Sequence, residues 1–154
     1  MTPLSPHFTL EEFTFSEAAQ RRGIPNEPDV EQLVNLKLLA ERMEEVRAWL
    51  GRNQLIVPPI RVHSAFRSFQ VNTLVGGVST SAHLKGLACD FTCPEFGTPY
   101  EVAREIQESG IAFDQLILEY GWVHLGLPAD GLLPRTEVLT KRSALSHYEH
   151  GINA

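Results

Sequence analysis

The stretch SAHLKGLACD, residues 81–90, joins a polar turn to the start of an apolar strand. His83 and Asp90 lie near its two ends, and Gly86 between them allows a sharp turn with a positive φ angle. The segment LACDFT, which begins inside this stretch, is typical of a strand in which Ala88 and Asp90 share one face. The stretch therefore predicts a histidine-bearing loop that leads directly into a carboxylate-bearing strand.

A second apolar strand, WVHLGL, places Trp122 and His124 on one face and its aliphatic residues on the other. If the two strands are neighbours, Asp90 and His124 point to the same open face, and His83 can reach that face from its loop. Two imidazoles and one carboxylate with open positions form the ligand set that a catalytic zinc ion requires. The alternative is a loop histidine, a strand carboxylate bonded to backbone amides, and a core histidine.

The remaining periodicity predicts an α+β fold, in which an antiparallel sheet of about four strands packs on helices. Thr9 and Glu12 form a capping-box pattern, which predicts a short helix over about residues 10–21. We expect a single domain over residues 1–154, with residues 130–154 as a weakly structured tail that holds one short strand. The other predicted elements are a long helix over 29–50, a strand at 60–64, a short helix at 69–77, a helix from Thr98 to Gly110, and strands in FDQLILEY and TEVLT.

Composition narrows the class of protein. The 154 residues carry a formal net charge of −6, which disfavours nucleic-acid and membrane-surface binding. No apolar run is long enough to span a bilayer, and MTPLSPHFTLEEF has no signal-peptide pattern, so we expect synthesis in the cytoplasm. Cys89 and Cys93, four residues apart on one extended segment, would lie roughly 13 Å from each other, too far to form a disulfide.

Several of these segments together resemble a known family. SAHLKGLACD followed by WVH is similar to the Ser-x-His-x-x-Gly-x-Ala-x-Asp and Trp-x-His signatures of the zinc D-Ala-D-Ala carboxypeptidases, which include phage-type L,D- and D,D-peptidases. Hedgehog domains and vancomycin-resistance dipeptidases share this core. SAFRSFQVNTLVGG resembles the family's Ser-Gly-Tyr-Arg-Ser segment with the asparagine and glycine pair that follow it, and LSPHFTLEEF is similar to the start of small members. The resemblance covers roughly residues 5–127.

The resemblance implies that His83, Asp90 and His124 are zinc ligands and that Arg67 binds substrate and stabilises the oxyanion. A guanidinium suits that role because it can donate hydrogen bonds to an oxygen on which negative charge develops. Ser81 and Trp122 are candidate substrate-binding residues. The alternatives are a surface cation for Arg67, a bond to the loop backbone for Ser81, and a packed aromatic side chain for Trp122.

The general base is the point where this sequence departs from part of the family. Some members carry an acidic residue three positions before the last histidine, where this chain has Gly121. Glu119, five residues before His124, is the candidate base, and Asp114 is the other acid in this region. The alternative is a carboxylate that caps or positions neighbouring residues.

The resemblance implies a zinc-dependent peptidase that uses metal-activated water to cleave peptidoglycan stem peptides, as a D-Ala-D-Ala carboxypeptidase or an endolysin-like endopeptidase. Such an enzyme acts on the cell wall after release, or in the cytoplasm on small peptides. The alternative is a zinc-containing binding or structural module of the same fold without peptidase activity.

Overall fold

A computed structural model describes residues 1–154 and has a mixed α+β architecture, as the sequence predicts. None of the helices combines the length and the apolar composition needed to cross a membrane. The helices are α1 (Leu10–Thr14), α2 (Glu17–Arg22), α3 (Val30–Gly51), α4 (Phe69–Leu74) and α5 (Pro99–Ser109), with a 3₁₀ turn at Ala82–Lys85. The strands are β1 (Pro3–Ser5), β2 (Phe8–Thr9), β3 (Arg61–Ser64), β4 (Ala88–Thr92), β5 (Gln115–Leu118), β6 (Val123–Gly126), β7 (Glu137–Lys141) and β8 (Tyr148–His150).

The first predicted helix is divided in two. The capping box is confirmed, because the Thr9 side chain accepts a hydrogen bond from the Glu12 amide and the Glu12 carboxylate accepts one from the Thr9 amide. A continuous helix over 10–21 is wrong, since Phe15 adopts an extended conformation with ψ 132°. Ser16 then caps α2 by accepting a hydrogen bond from the amide of Ala19. A second capping residue inside the apolar pattern is the reason for the break.

The main sheet has six strands rather than about four, in the order β3-β4-β6-β5-β7-β8. It is also not wholly antiparallel. β5 pairs antiparallel with β6 but parallel with β7, with Ile117 opposite His124 on one side and Leu139 on the other. Segment 127–136 carries the chain from β6 to the far edge of β5, which makes β7 run in the same direction as β5. Period-2 patterns identify strands but do not specify which strands pair.

Residues 130–154, expected to be a weakly structured tail with one short strand, contain both β7 and β8. The buried Thr140 hydroxyl donates a hydrogen bond to the carbonyl of Gly151 and accepts one from the amide of Asn153. These residues are held by backbone pairing at a sheet edge, which requires little apolar patterning. This is why the sequence shows so weak a signal there.

The residues group into two compact units, Met1–Glu44 with Ser64–Cys89 and Glu45–His63 with Asp90–Ala154. In the first unit, the Phe66 amide donates a hydrogen bond to the carbonyl of the fully buried Phe13. In the second, the Trp49 indole donates to the Glu105 carboxylate over 3.0 Å. The extent of the domain, residues 1–154, stays a prediction.

The apolar residues that alternate along one face of the central strands are wholly shielded from solvent, and they are Cys89, Phe91, Leu116, Val123 and Leu125. The opposite face is largely buried too, since Ala88, Asp90 and Ile117 are also shielded, so burial does not distinguish the two faces. Both cysteines are buried free thiols. On α3, Leu39, Met43, Val46 and Leu50 are buried, but Val30, Val34 and Leu38 are half or more exposed, so only part of the apolar pattern of this helix faces the core.

Candidate metal centre and catalytic site

The loop that carries His83 is fixed by its two caps. The Ser81 hydroxyl oxygen accepts a hydrogen bond from the His83 amide at the start of the 3₁₀ turn. Gly86 ends the turn with φ +72°, which confirms the predicted positive φ angle. A Cβ atom on Gly86 would lie 2.9 Å from the carbonyl oxygen of Gln32, so both conformation and space require glycine. The side chain of Gln32 also donates to the carbonyl of Leu84, which ties the turn to α3.

The imidazole of His83 is buried, with 3% of the residue exposed. Its Nδ1 lies 2.6 Å from the carbonyl oxygen of Ala65. A carbonyl can only accept, so Nδ1 carries the proton and the neutral ring has its lone pair on Nε2. Metal-binding histidines typically have this second-sphere hydrogen bond, which fixes both tautomer and ring orientation.

Asp90 on β4 and His124 on β6 form a close pair. The Nδ1 atom of His124 lies 2.8 Å from a carboxylate oxygen of Asp90, and both side chains are nearly buried. On the other side of the ring, Nε2 lies 3.6 Å from the position that a Cβ atom would occupy at Gly126. This is an ordinary van der Waals distance, so the imidazole does not require glycine at position 126, and Nδ1 is the nitrogen directed towards the carboxylate.

The three predicted ligands come together. One ligand atom from each of His83, Asp90 and His124 lies within 4.8 Å of the other two. In a tetrahedral zinc site with bonds of about 2.0–2.1 Å, ligand atoms are about 3.4 Å apart, a separation that lies within this limit. Two imidazoles and a carboxylate also match the chemistry of zinc, so the residues present fit the metal.

Glu119 directly follows β5, at the turn into β6, where its backbone amide donates to the carbonyl of Trp122. Burial raises the pKa of the Glu119 carboxyl, and the negative charge of Asp90 acts in the same direction. His124 and Lys141 act in the opposite direction on that pKa. The carboxyl is thus electrostatically coupled to two of the three candidate ligands.

Asp114, the other candidate base, precedes β5 at the opposite end. Its carboxylate accepts hydrogen bonds from both the backbone amide and the guanidinium of Arg135. These hydrogen bonds hold the pKa of Asp114 below its usual value. Asp114 therefore has the contacts of a structural carboxylate.

Arg67 follows β3 and is linked to the histidine loop, since its backbone amide donates to the carbonyl of His83 over 3.1 Å. Its guanidinium donates to the Ser64 hydroxyl through Nε and to the Asn72 side chain through Nη1. Arg67 is half-buried rather than a freely exposed surface cation. The sequence shows Asn72 only as part of the family segment and does not reveal this contact.

The two candidate substrate-binding residues have structural contacts of their own. Ser81 caps the 3₁₀ turn, as its predicted alternative role requires. Trp122 is half-buried and packs edge-to-face on Tyr120, with ring centroids 4.6 Å apart. Neither contact occupies all of the side chain, so both residues remain candidates for substrate contact.

A family model described as Peptidase M15 matches residues 6–126, which include every residue of the candidate site. No curated protein matches the chain. The matched segment confirms the resemblance to the zinc D-Ala-D-Ala carboxypeptidases, and it also agrees with the range over which the motifs were found. The chain belongs to the peptidase M15 family, whose members are metallopeptidases that typically use zinc.

Proposed function

We propose that this chain is a zinc-dependent peptidase that cleaves peptidoglycan stem peptides, as a D-Ala-D-Ala carboxypeptidase or an endolysin-like endopeptidase. The observation that carries this proposal is the convergence of His83, Asp90 and His124 within a segment that matches a metallopeptidase family. The substrate class follows from the family resemblance, since peptidoglycan stem peptides are the substrates of the carboxypeptidases whose motifs this chain carries.

The proposed function requires a zinc ion bound by three side chains. His83, Asp90 and His124 would hold zinc through two nitrogens and a carboxylate oxygen. When bound, zinc supplies a Lewis acid and lowers the pKa of water to about 7. The hydrogen bond from His83 to Ala65 keeps the ring in the orientation that this ligand set needs.

Two further residues carry the proposed chemistry. Glu119 accepts a proton from the water that attacks the scissile carbonyl and then delivers it to the leaving amine. Its raised pKa suits a group that must both take and release a proton. Arg67 donates hydrogen bonds to the carbonyl oxygen as that oxygen becomes negative, and Ser81 and Trp122 contact the peptide.

The test is digestion of purified peptidoglycan stem peptides by the zinc-restored protein, with the products identified by mass spectrometry. We expect a new peptide or released alanine whose mass identifies the bond that is cut. The matched control is His124→Ala, which should lose activity by more than about a hundredfold because the metal ligand set is incomplete. Full activity in this variant would overturn the ligand assignment.

A specific observation favours a second candidate function, a zinc-containing binding or structural module without peptidase activity. Gly121 lies where some family members carry an acidic residue, and the role of base then depends on Glu119 alone. A protein that binds stoichiometric zinc but cleaves neither muropeptides nor simpler peptides would support this second function.

A further inference from the structure

Asn72 is a buried polar side chain that the proposed chemistry does not use. Only 2% of the residue is exposed, although it lies on the short helix α4 beside a surface loop. A buried side-chain amide is costly unless its oxygen and nitrogen both find partners. The partners of Asn72 therefore indicate what the residue does.

The two ends of the Asn72 amide have different partners. Its Nδ2 donates to the carbonyl of Val78 over 2.9 Å, while its Oδ1 accepts from Nη1 of Arg67 over 3.4 Å. A carbonyl only accepts and a guanidinium only donates, so a flipped amide would lose both hydrogen bonds. The backbone carbonyl of Asn72 also accepts from the amide of Gly77. Asn72 thus connects Arg67 to the loop of residues 76–80, which we call the glycine loop.

The two glycines of this loop are required for different reasons. A Cβ atom on Gly77 would lie 2.1 Å from Oδ1 of Asn72 and 3.1 Å from Nη1 of Arg67, although the φ angle of Gly77 is not in the left-handed region. Gly76 has φ +77° but nothing within 4 Å of its Cβ position. Gly76 therefore serves the turn, while Gly77 provides the space in which the amide meets the guanidinium.

We propose that Asn72 is a positioning residue that holds the guanidinium of Arg67 for the oxyanion, with Gly77 leaving the space that this contact needs. Asn72 engages Nη1 while Ser64 engages Nε, so two edges of the planar group are held before substrate binds. A restrained donor loses less side-chain entropy when it meets the transition state, and small displacements of such donors are costly to the rate. This inference rests on the proposed function, because Arg67 needs positioning only if it acts on substrate.

The kinetic test compares Asn72→Ala, Asn72→Asp and Gly77→Ala with Gly76→Ala as the matched control. We expect Asn72→Ala and Gly77→Ala to lower kcat by roughly tenfold to a hundredfold with little change in KM, since the oxyanion charge exists only in the transition state. Asn72→Asp keeps an acceptor for Arg67 but loses the hydrogen bond to the Val78 carbonyl, so it should lower the melting temperature and retain more activity than Asn72→Ala. Gly76→Ala should lower the melting temperature because of its positive φ angle, but leave kcat unchanged.

A double-mutant cycle separates positioning from general loss of structure. Gly77→Ala should have little further effect on kcat in an Asn72→Ala background, because the atom that a new Cβ would displace is already absent. Similarly, Asn72→Ala should have little effect on kcat in an Arg67→Lys background. Additive losses in both cycles would overturn the proposal.

A readout that does not depend on activity distinguishes this inference from the proposed function. Nuclear magnetic resonance of the Arg67 guanidinium should show slow rotation about its Cζ–Nη bonds in the wild type, and faster rotation in Asn72→Ala and Gly77→Ala. If rotation is equally slow in all three, Asn72 does not hold Arg67 and the inference fails. If Asn72 restrains Arg67 but no peptide is cleaved, the proposed function fails instead. Should Asn72→Ala not fold, Gly77→Ala carries the same kinetic and rotation tests, with Asn72→Asp as the variant that keeps an acceptor.

Discussion

Asp114 and Glu119 flank the same strand, β5, and their carboxyl groups lie in opposite environments. The Asp114 carboxylate is held by Arg135, which lowers its pKa, whereas burial raises the pKa of Glu119. Two carboxyl groups whose surroundings shift their pKa values in opposite directions have different roles in many enzymes. One end of β5 is thus suited to structural ion pairing and the other to proton transfer, and the residue types alone do not distinguish them.

The largest expected effect is on kcat, when each of the two acids is replaced by its amide. Glu119→Gln should lower kcat by about 10²–10⁴-fold, the range expected when a general base is lost, while zinc content is unchanged. Asp114→Asn should stay within a few-fold of wild-type activity. Steady-state kinetics on the same stem peptide measure both variants. A fully active Glu119→Gln, or equal losses in the two variants, would contradict the assignment.

The pH dependence of kcat/KM tests the same carboxyl in the wild type. A base must be ionised, so activity should be lost as the pH falls through the pKa of Glu119. Burial raises that pKa and the positive charge of bound zinc would lower it, so the acid limb should be identified as the one that Glu119→Gln removes. An acid limb that is unchanged in Glu119→Gln would show that another group acts as the base.

A smaller effect on stability is expected at the other end of β5. The pKa of Asp114 is lowered in the folded protein by its interaction with Arg135. The ion pair therefore stabilises the protein at pH values above the ordinary aspartate pKa. This stabilisation is lost as the pH falls through the lowered pKa. Asp114→Asn should lower the free energy of unfolding by roughly 1 kcal/mol at neutral pH. The effect is small because the Arg135 side chain is exposed, so solvent screens the ion pair. Urea unfolding should show this difference shrink in acid, and a pH-independent difference would count against the ion pair.

The smallest expected effect concerns Lys141, which lies on β7 and lowers the pKa of Glu119. Its ammonium lies 4.5 Å from the ring centroid of Tyr148, which keeps it near this end of the sheet. Lys141→Met should move the acid limb of kcat/KM to higher pH, and Lys141→Arg is the matched control that keeps the charge. A limb that does not move would show that Lys141 is electrostatically separate from the base.

The sequence predicts which elements carry His83, Asp90 and His124, because these residues lie in local patterns. The loop cap at Ser81, the positive φ angle at Gly86 and the alternation around Asp90 and His124 all depend on neighbours within a few positions. The family motifs add the specificity that spacing lacks. Local signals and family motifs together therefore predict the cluster of His83, Asp90 and His124, which forms because β4 and β6 are neighbours in the sheet.

The parts that the sequence does not predict depend on contacts between distant segments. The parallel pairing of β7 with β5 follows from the route of segment 127–136, and β8 joins the sheet with mostly exposed side chains. The opposite pKa shifts of Asp114 and Glu119 depend on Arg135 and on burial, and the contact between Asn72 and Arg67 depends on side-chain orientation. Periodicity contains no information about any of these contacts.

The division of roles between metal ligands and proton-transfer residue is tested most directly by zinc content. Elemental analysis after dialysis should find stoichiometric zinc in the wild type and in Glu119→Gln, and little or none in His124→Ala. This result would show that His124 holds the metal and that Glu119 does not. Zinc retained by His124→Ala, or lost from Glu119→Gln, would contradict the account.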